Sequence, residues 1–133
     1  MSGYLGSIGF GFPAALGAWA AVGDRRKIVS VSGDGGFGQY LADFTTAVKY
    51  DMPICHILLN NEELGKISKE QRAGQFHVWQ TTLHNPNFAE YAKLCGGQGF
   101  RATAPDEVAP AIEAGLTCGG PAIVEILTDP TQT

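Results

Sequence analysis

The sequence predicts an α/β domain built on a doubly wound parallel sheet with helices on both faces. Its 133 residues, 44% of them apolar, are enough for one domain with an apolar core. Four short predicted strands, most of them apolar runs, alternate with segments whose apolar residues recur at helical spacing. Strands that alternate with helices form right-handed βαβ units and therefore a parallel sheet.

Four strands are predicted, and the second of them is a continuous apolar run of the kind that is buried on both faces of a parallel sheet. The first, KIVSVS at 27–32, is rich in β-branched residues and ends at a glycine. The second is ICHILL at 54–59, the third spans 98–103, and the fourth is AIVEIL at 122–127.

Helices are predicted at 13–22, 40–50, 65–72 and 105–116, and a further one begins at Pro86. Asn85 and Pro86 are typical of an N-cap and a first helical position, and Gly96 is typical of a helix end. Pro110 removes one backbone hydrogen bond near the start of the last helix. Residues 62–86 hold a single short helical segment, and loops of this length in compact domains are usually functional.

Composition excludes several classes of protein. Nine basic against thirteen acidic residues, without a basic cluster, argue against a nucleic-acid partner. The longest apolar run, 10–22, contains glycines and a proline and is too short to span a bilayer. No signal peptide opens the chain, and the three dispersed cysteines are typical of buried thiols in a reducing compartment, so we expect a cytoplasmic protein. His56, within an apolar strand, is expected in the core, and His77 and His84 at the surface.

Glycines are concentrated near the start of the chain, with ten of the 18 in the first 38 residues. The run GDGGFG at 33–38 follows the first strand and matches the dinucleotide-binding pattern G-x-G-x-x-G. NAD(P) binding is disfavoured because Asp34 would place a carboxylate against a pyrophosphate. The next strand also lacks the acidic residue that usually holds the ribose.

A divalent cation removes this repulsion. Mg²⁺ binds six oxygens, commonly one or two carboxylates together with phosphate oxygens and water. Asp34 can supply one oxygen, Asn61 at the end of the second strand another, and a main-chain carbonyl just past Asn61 a third. The amides of Gly35 and Gly36 would meet the same anion. The sequence therefore indicates a metal-bridged diphosphate.

Two motifs give the chain a specific resemblance. GDG at 33–35, followed after 24 residues by Asn60-Asn61, resembles the signature of thiamine-diphosphate (ThDP) enzymes. GSIGFGFPAA at 6–15 resembles the segment with which those enzymes hold the aminopyrimidine ring. The resemblance covers nearly the whole chain and implies the ThDP-binding fold. It makes residues 1–133 a single diphosphate-binding (PP) domain, apparently truncated at its start.

The resemblance also implies roles for individual residues. Asp34 and Asn61 would bind Mg²⁺ through their side chains and Glu63 through its main-chain oxygen. The carbonyl of Gly6 would accept a hydrogen bond from the exocyclic amine, and Ile8 would hold the cofactor in a bent conformation. The full set of implied cofactor-binding residues is Gly6, Ile8, Gly33, Asp34, Gly35, Gly36, Asn61, Glu63 and Gly65.

Residues 65–71 and 83–88 resemble the pyruvate oxidase and pyruvate:quinone oxidoreductase group most closely, with acetolactate synthases nearby. Glu70 lies where the oxidases carry an active-site glutamate, which makes it the candidate catalytic residue. The alternative for Glu70 is an exposed helix-face charge beside Lys66 and Lys69. Lys66 replaces the aromatic residue of pyruvate oxidases, which argues against oxidase-type electron transfer.

In the family the catalytic glutamate that activates the cofactor comes from a separate pyrimidine-binding (PYR) domain, for which 133 residues leave no room. The resemblance therefore implies half of an active site for a small 2-oxo acid. Its partner would be a PYR-domain subunit or, through an unpaired apolar face, a second copy in a homodimer. The alternative from another class is a non-catalytic assembly module that retains the fold.

Overall fold

A computed structural model of the chain describes residues 6–130 and shows a four-stranded parallel sheet flanked by helices. The strand order is β1-β2-β4-β3. The strands are β1 (Ile28–Gly33), β2 (Ile54–Asn60), β3 (Gln98–Ala102) and β4 (Ala122–Leu127). The helices are α1 (Gly11–Val22), α2 (Asp34–Gly38), α3 (Asp43–Lys49), α4 (Gly65–Ala73), α5 (Phe88–Leu94) and α6 (Pro105–Thr117), with a 3₁₀ turn at Gly23–Arg25. The predicted α/β class and parallel sheet are confirmed.

The register brings the carboxyl ends of three strands to one edge of the sheet. Gly33, the last residue of β1, lies opposite Leu59 of β2, and Asn60 lies opposite Leu127 of β4. The chain leaves β1 directly into α2 and leaves β2 into the Asn60-Asn61 turn. This edge is where parallel α/β sheets bind ligands.

One face of the sheet carries the larger core, formed against α1, α2, α3 and α5. Phe12, Phe37, Phe44 and Phe88 are its largest buried side chains. The Phe12 and Phe37 rings pack edge to face, 5.3 Å between centroids. Each fully buried ring of this kind contributes roughly 2 to 3 kcal/mol of hydrophobic stabilisation. Phe37 belongs to the run GDGGFG at 33–38, which we call the glycine loop. This core therefore also fixes the glycine loop at the edge of the sheet.

The opposite face is covered by α6, which packs on β2, β3 and β4. Gly115 permits the close contact, because a Cβ there would lie 2.3 Å from Cγ2 of Val124. The cover does not reach β1, whose Val29 and Val31 stay 45% and 58% exposed. An apolar strip therefore runs along the outer strand of this face.

Two predicted elements differ from the structure. The helix expected at 40–50 is α3, preceded by the separate short helix α2, whose three glycines gave no helical signal. The cap expected at Asn85 is Asn87, whose side chain accepts a hydrogen bond from the Glu90 amide at 2.9 Å. Asn85 is drawn away because its side chain binds Asp34 and Asn60.

His56 lies in the core, as predicted. It is fully buried on β2, with Nδ1 2.6 Å from Ser30 Oγ and Nε2 3.1 Å from Ser32 Oγ, both on β1. Burial lowers the pKa of His56 to about 3, so the ring is neutral. His77 and His84 are exposed, as expected. Among residues 6–130, no helix is long and apolar enough to cross a membrane.

Candidate functional site

A cavity of about 530 Å³ opens at the carboxyl edge of β1 and β2. Its walls come from the glycine loop after β1, the turn after β2, the start of α4 and the segment before α1. Eight of the nine predicted cofactor-binding residues line the cavity, and Gly6 is the exception. Those that line the cavity are Ile8, Gly33, Asp34, Gly35, Gly36, Asn61, Glu63 and Gly65.

Asp34 begins α2 directly after β1 and is 2% exposed. Its Oδ1 accepts a hydrogen bond from the Gly35 amide at 2.9 Å. Its Oδ2 accepts from the Glu62 amide at 2.8 Å and from Asn85 Nδ2 at 2.7 Å. Three N–H groups thus hold a single buried carboxylate whose Oδ1 keeps a lone pair for a cation.

Asn61 and Glu63 are arranged by a tight turn and a β-bridge. Asn61 Oδ1 accepts from the Glu63 amide at 3.1 Å. Glu63 pairs antiparallel with Thr82, and the hydrogen bonds of this bridge use the Leu64 amide and the Glu62 oxygen. In such a pair the residue's own N–H and C=O point away from the partner strand. The Glu63 main-chain oxygen is therefore left outside the bridge, as a metal ligand requires.

The Glu63 side chain ties α4 and the following loop to this turn. Its Oε1 accepts a hydrogen bond from the buried Ser68 of α4 and lies 3.5 Å from Thr81 Oγ1. Arg72 Nη2 lies 3.6 Å from the same oxygen. The long segment at 62–86 is thus partly ordered by a buried anchor that sequence patterns did not reveal, because the contacts join residues up to 18 positions apart.

Glycines let three backbone segments meet at the cavity. A Cβ on Gly35 would lie 2.5 Å from Cδ2 of Leu64, and one on Gly36 would lie 3.0 Å from the Gly9 nitrogen. Gly9 has φ +82°, a conformation that favours glycine. The close contact between Gly9 and Gly36 brings Ile8, 49% exposed, to the cavity wall. Gly6 also has positive φ but does not line the cavity.

Glu70 lies on the exposed side of α4. Its Oε1 is 3.8 Å from Nζ of Lys66, one turn earlier, and both side chains are largely exposed. Lys66 and Ile67 line the cavity, whereas Glu70 does not. The structure places Glu70 one turn after Lys66 and outside the cavity lining, and its catalytic role stays a prediction.

The donor set fits a magnesium-bridged diphosphate. Asp34, Asn61 and Glu63 offer carboxylate, amide and main-chain oxygens to one cavity. Between residues 6 and 130 no group of three or more His, Cys, Asp or Glu side chains could hold a metal. Mg²⁺ suits this arrangement, because it is commonly bound by few protein ligands and completed by phosphate oxygens and water.

A parallel α/β sheet with a glycine loop and oxygen ligands at its carboxyl edge defines a domain for a phosphorylated cofactor. Residues 1–126 match the family "Thiamine pyrophosphate enzyme, C-terminal TPP binding domain". The chain belongs to this family, and the predicted resemblance is confirmed.

Individual relatives agree with the family. The chain is 38% identical over 127 residues to the "Putative thiamine pyrophosphate-containing protein YdaP" of Bacillus subtilis, covering 96% of this chain and 22% of the relative. It is 34% identical to the mitochondrial acetolactate synthase catalytic subunit of Aspergillus candidus, covering 96% and 18%. The chain thus spans about a fifth of the length of these relatives.

A solved structure shows the same fold. The thiamine diphosphate-dependent 4-hydroxybenzoylformate decarboxylase of Rhodococcus jostii RHA1 superposes with a TM-score of 0.82. The match covers 92% of this chain and 23% of the decarboxylase, at 24% sequence identity.

Proposed function

We propose that this domain binds thiamine diphosphate through Mg²⁺ and forms one half of a 2-oxo-acid-decarboxylating site of the pyruvate oxidase and acetolactate synthase type. The observation that carries the proposal is the convergence of Asp34, Asn61 and Glu63 on the cavity that the glycine loop also lines. Relatives named as acetolactate synthases support this choice of reaction class.

Each part of the site then has a task. Asp34, Asn61 and the main-chain oxygen of Glu63 hold the cation, which neutralises the diphosphate beside a buried carboxylate. Gly35 and Gly36 let Leu64 and Gly9 pack closely against the cavity wall, which Gly33 and Gly65 also line. The remaining contacts fall to Ile8, which props the rings, and to the carbonyl of Gly6.

When bound, thiamine diphosphate supplies the electron sink that a decarboxylating 2-oxo acid needs. In this proposal the chain positions the cofactor. We assign Glu70 to the substrate side, because it lies one turn after Lys66 and Ile67 of the cavity wall. The group that activates the cofactor would come from a PYR-domain partner, so we expect no turnover from this chain alone. A second copy in a homodimer would cover the unpaired apolar face without supplying that group.

Calorimetry of the chain with thiamine diphosphate, with and without Mg²⁺, tests the proposal. We expect saturable binding only with the metal, and we expect Asp34→Ala to abolish it because the charged ligand is lost. Asp24→Ala, which removes an exposed carboxylate from the 3₁₀ turn, is the matched control and should bind as the parent chain does.

The other outcomes favour other functions. Metal-independent binding of NAD(P) would support a dinucleotide site. Absence of binding at millimolar thiamine diphosphate, together with a dimer or larger oligomer in solution, would support an assembly module. Unchanged affinity in Asp34→Ala would overturn the metal assignment.

A further inference from the structure

A continuous chain of polar side chains, buried at Glu125, Asn60 and Asp34, connects the sheet interior to the candidate site. Glu125, fully buried on β4, accepts hydrogen bonds from Asn60 Nδ2 at 2.8 Å and from the Ala89 amide at 3.3 Å. Arg101 Nε of β3 lies 3.3 Å from its Oε2. Asn60 then leads to Asn85, and Asn85 to Asp34. We call these five side chains, Arg101, Glu125, Asn60, Asn85 and Asp34, the polar chain.

The donors and acceptors along the polar chain leave each amide one orientation. Asn60 directs Nδ2 to Glu125, so its Oδ1 accepts from Asn85 Nδ2 at 2.9 Å and from the Glu62 amide at 3.2 Å. Rotating this amide by half a turn would set Oδ1 against a carboxylate and Nδ2 against two donors. Glu125 therefore fixes the orientation of Asn60.

Asn85 passes this orientation on to the site. Its Nδ2 donates both to Asn60 Oδ1 and to Asp34 Oδ2, and an amide nitrogen has two hydrogens to give. Because Asn85 and the Glu62 amide both donate to Oδ2, the plane of the Asp34 carboxylate is held in one orientation. The direction in which Asp34 presents Oδ1 thus depends on the carboxylate of Glu125, further along the polar chain.

We propose that Glu125, paired with Arg101, is a positioning residue that fixes the carboxylate of Asp34 through Asn60 and Asn85. The affinity measurement that tests this inference rests on the proposed function, whereas the hydrogen-bond network itself does not. Changing residues that orient metal ligands commonly lowers metal affinity 10- to 100-fold. We expect a loss of about that size when Glu125 is changed.

Glu125→Gln is the informative single change. The introduced carbonyl oxygen can still accept from the Ala89 amide and from Arg101, but the introduced NH₂ then faces Asn60 Nδ2, donor against donor. Asn60 must turn over, which sets its Nδ2 against Asn85 and the Glu62 amide. Glu113→Gln, at an exposed position of α6, is the matched control for the loss of one charge.

An exchange variant, Asn60→Asp with Glu125→Gln, restores the pattern in reverse. The introduced amide donates to the introduced carboxylate, whose other oxygen accepts from Asn85 and Glu62 as Asn60 does. A residue that only stabilised the fold would change the melting temperature and leave the affinity of the folded protein unaltered. If Glu125 orients Asp34, the cofactor affinity should fall in Glu125→Gln and recover in the exchange variant.

The experiment has two readouts on the full 133-residue chain. Calorimetry measures the affinity for thiamine diphosphate at fixed Mg²⁺, and ¹H–¹⁵N spectra without cofactor follow the side-chain amide of Asn85. We expect at least tenfold weaker binding and displaced Asn85 signals in Glu125→Gln. We expect affinity within about threefold of the parent, and restored signals, in the exchange variant.

The outcomes separate this inference from the proposed function. Parent-like affinity and signals in folded Glu125→Gln would overturn it, as would a folded exchange variant that stays weak. Should Glu125→Gln not fold, Asn60→Asp alone, compared with the exchange variant, decides in the same way. A parent chain that binds no cofactor refutes the proposed function, and the Asn85 signals then decide on the polar chain by themselves.

Discussion

The buried imidazole of His56 makes the fold sensitive to acid. Its ring packs against Phe12 and Phe37, with centroids 5.1 and 4.5 Å away, and its two nitrogens contact Ser30 and Ser32. Desolvation lowers its pKa from 6.5 to about 3 in the folded state. Below about pH 6.5 the unfolded chain therefore binds a proton at His56 that the folded chain does not bind, and the free energy of unfolding decreases as the pH falls.

The size of the effect follows from the separation of the two pKa values. Each unit of difference is worth about 1.4 kcal/mol, so acidification to about pH 4.5 should cost between about 2 and 3 kcal/mol at this residue. The loss grows until the pH reaches the folded-state pKa of about 3. A domain of this size is stable by about 5 to 15 kcal/mol, so the contribution is measurable.

Urea unfolding at several pH values, for the parent chain and His56→Gln, isolates this contribution. Glutamine can still meet both serine hydroxyls but does not titrate, and the carboxylates titrate equally in both proteins. We expect the parent to lose up to about 1.4 kcal/mol per pH unit more than the variant below about pH 6. His77→Gln, at an exposed site, should keep the parent's slope. Parallel pH profiles for the parent and His56→Gln would refute the reasoning.

Two further predictions concern the fold. Gly99→Ala should destabilise the domain by about 3 kcal/mol or more, because the new Cβ would lie 1.8 Å from the Ala89 oxygen. Chemical denaturation should show the loss, whereas Gly119→Ala, with open space around its Cβ, should stay near the parent. Asn87→Ala should cost about 1 kcal/mol by removing the cap of α5. A melting temperature unchanged in Asn87→Ala would contradict the cap assignment.

Local sequence patterns were sufficient to predict the strands of the sheet. Three of the strands are largely apolar runs whose signal lies within six or seven positions. The structure reproduces β4 at 122–127 and the others, including the more polar β3, to within one or two residues. The pairing of the glycine loop with Asn61 was predictable for the same reason, since parallel strands must end at a common edge. The prediction that the Glu63 main-chain oxygen binds the metal came from the family resemblance.

Helix α2 and the role of Asn85 were not predictable in this way. The run DGGFG has poor helix propensity, and it forms a turn of helix because Phe37 is buried beneath it and the end of β1 directs the chain there. Asn85 looks like a cap because an asparagine before a proline commonly is one. Its real partner, Asp34, lies 51 positions away.

The amino-acid sequence by itself determined the fold class, the family and the residue types of the proposed metal site, because these depend on short-range periodicity and on motifs with fixed spacing. Tertiary structure decided how the groups are oriented. Glu125 is the single charged residue of an otherwise apolar strand, and nothing near it in sequence shows that it pairs with Arg101 and Asn60. Hydrogen-bond direction depends on atoms that meet only when strands align, so the polar chain behind Asp34 exists only in the folded molecule.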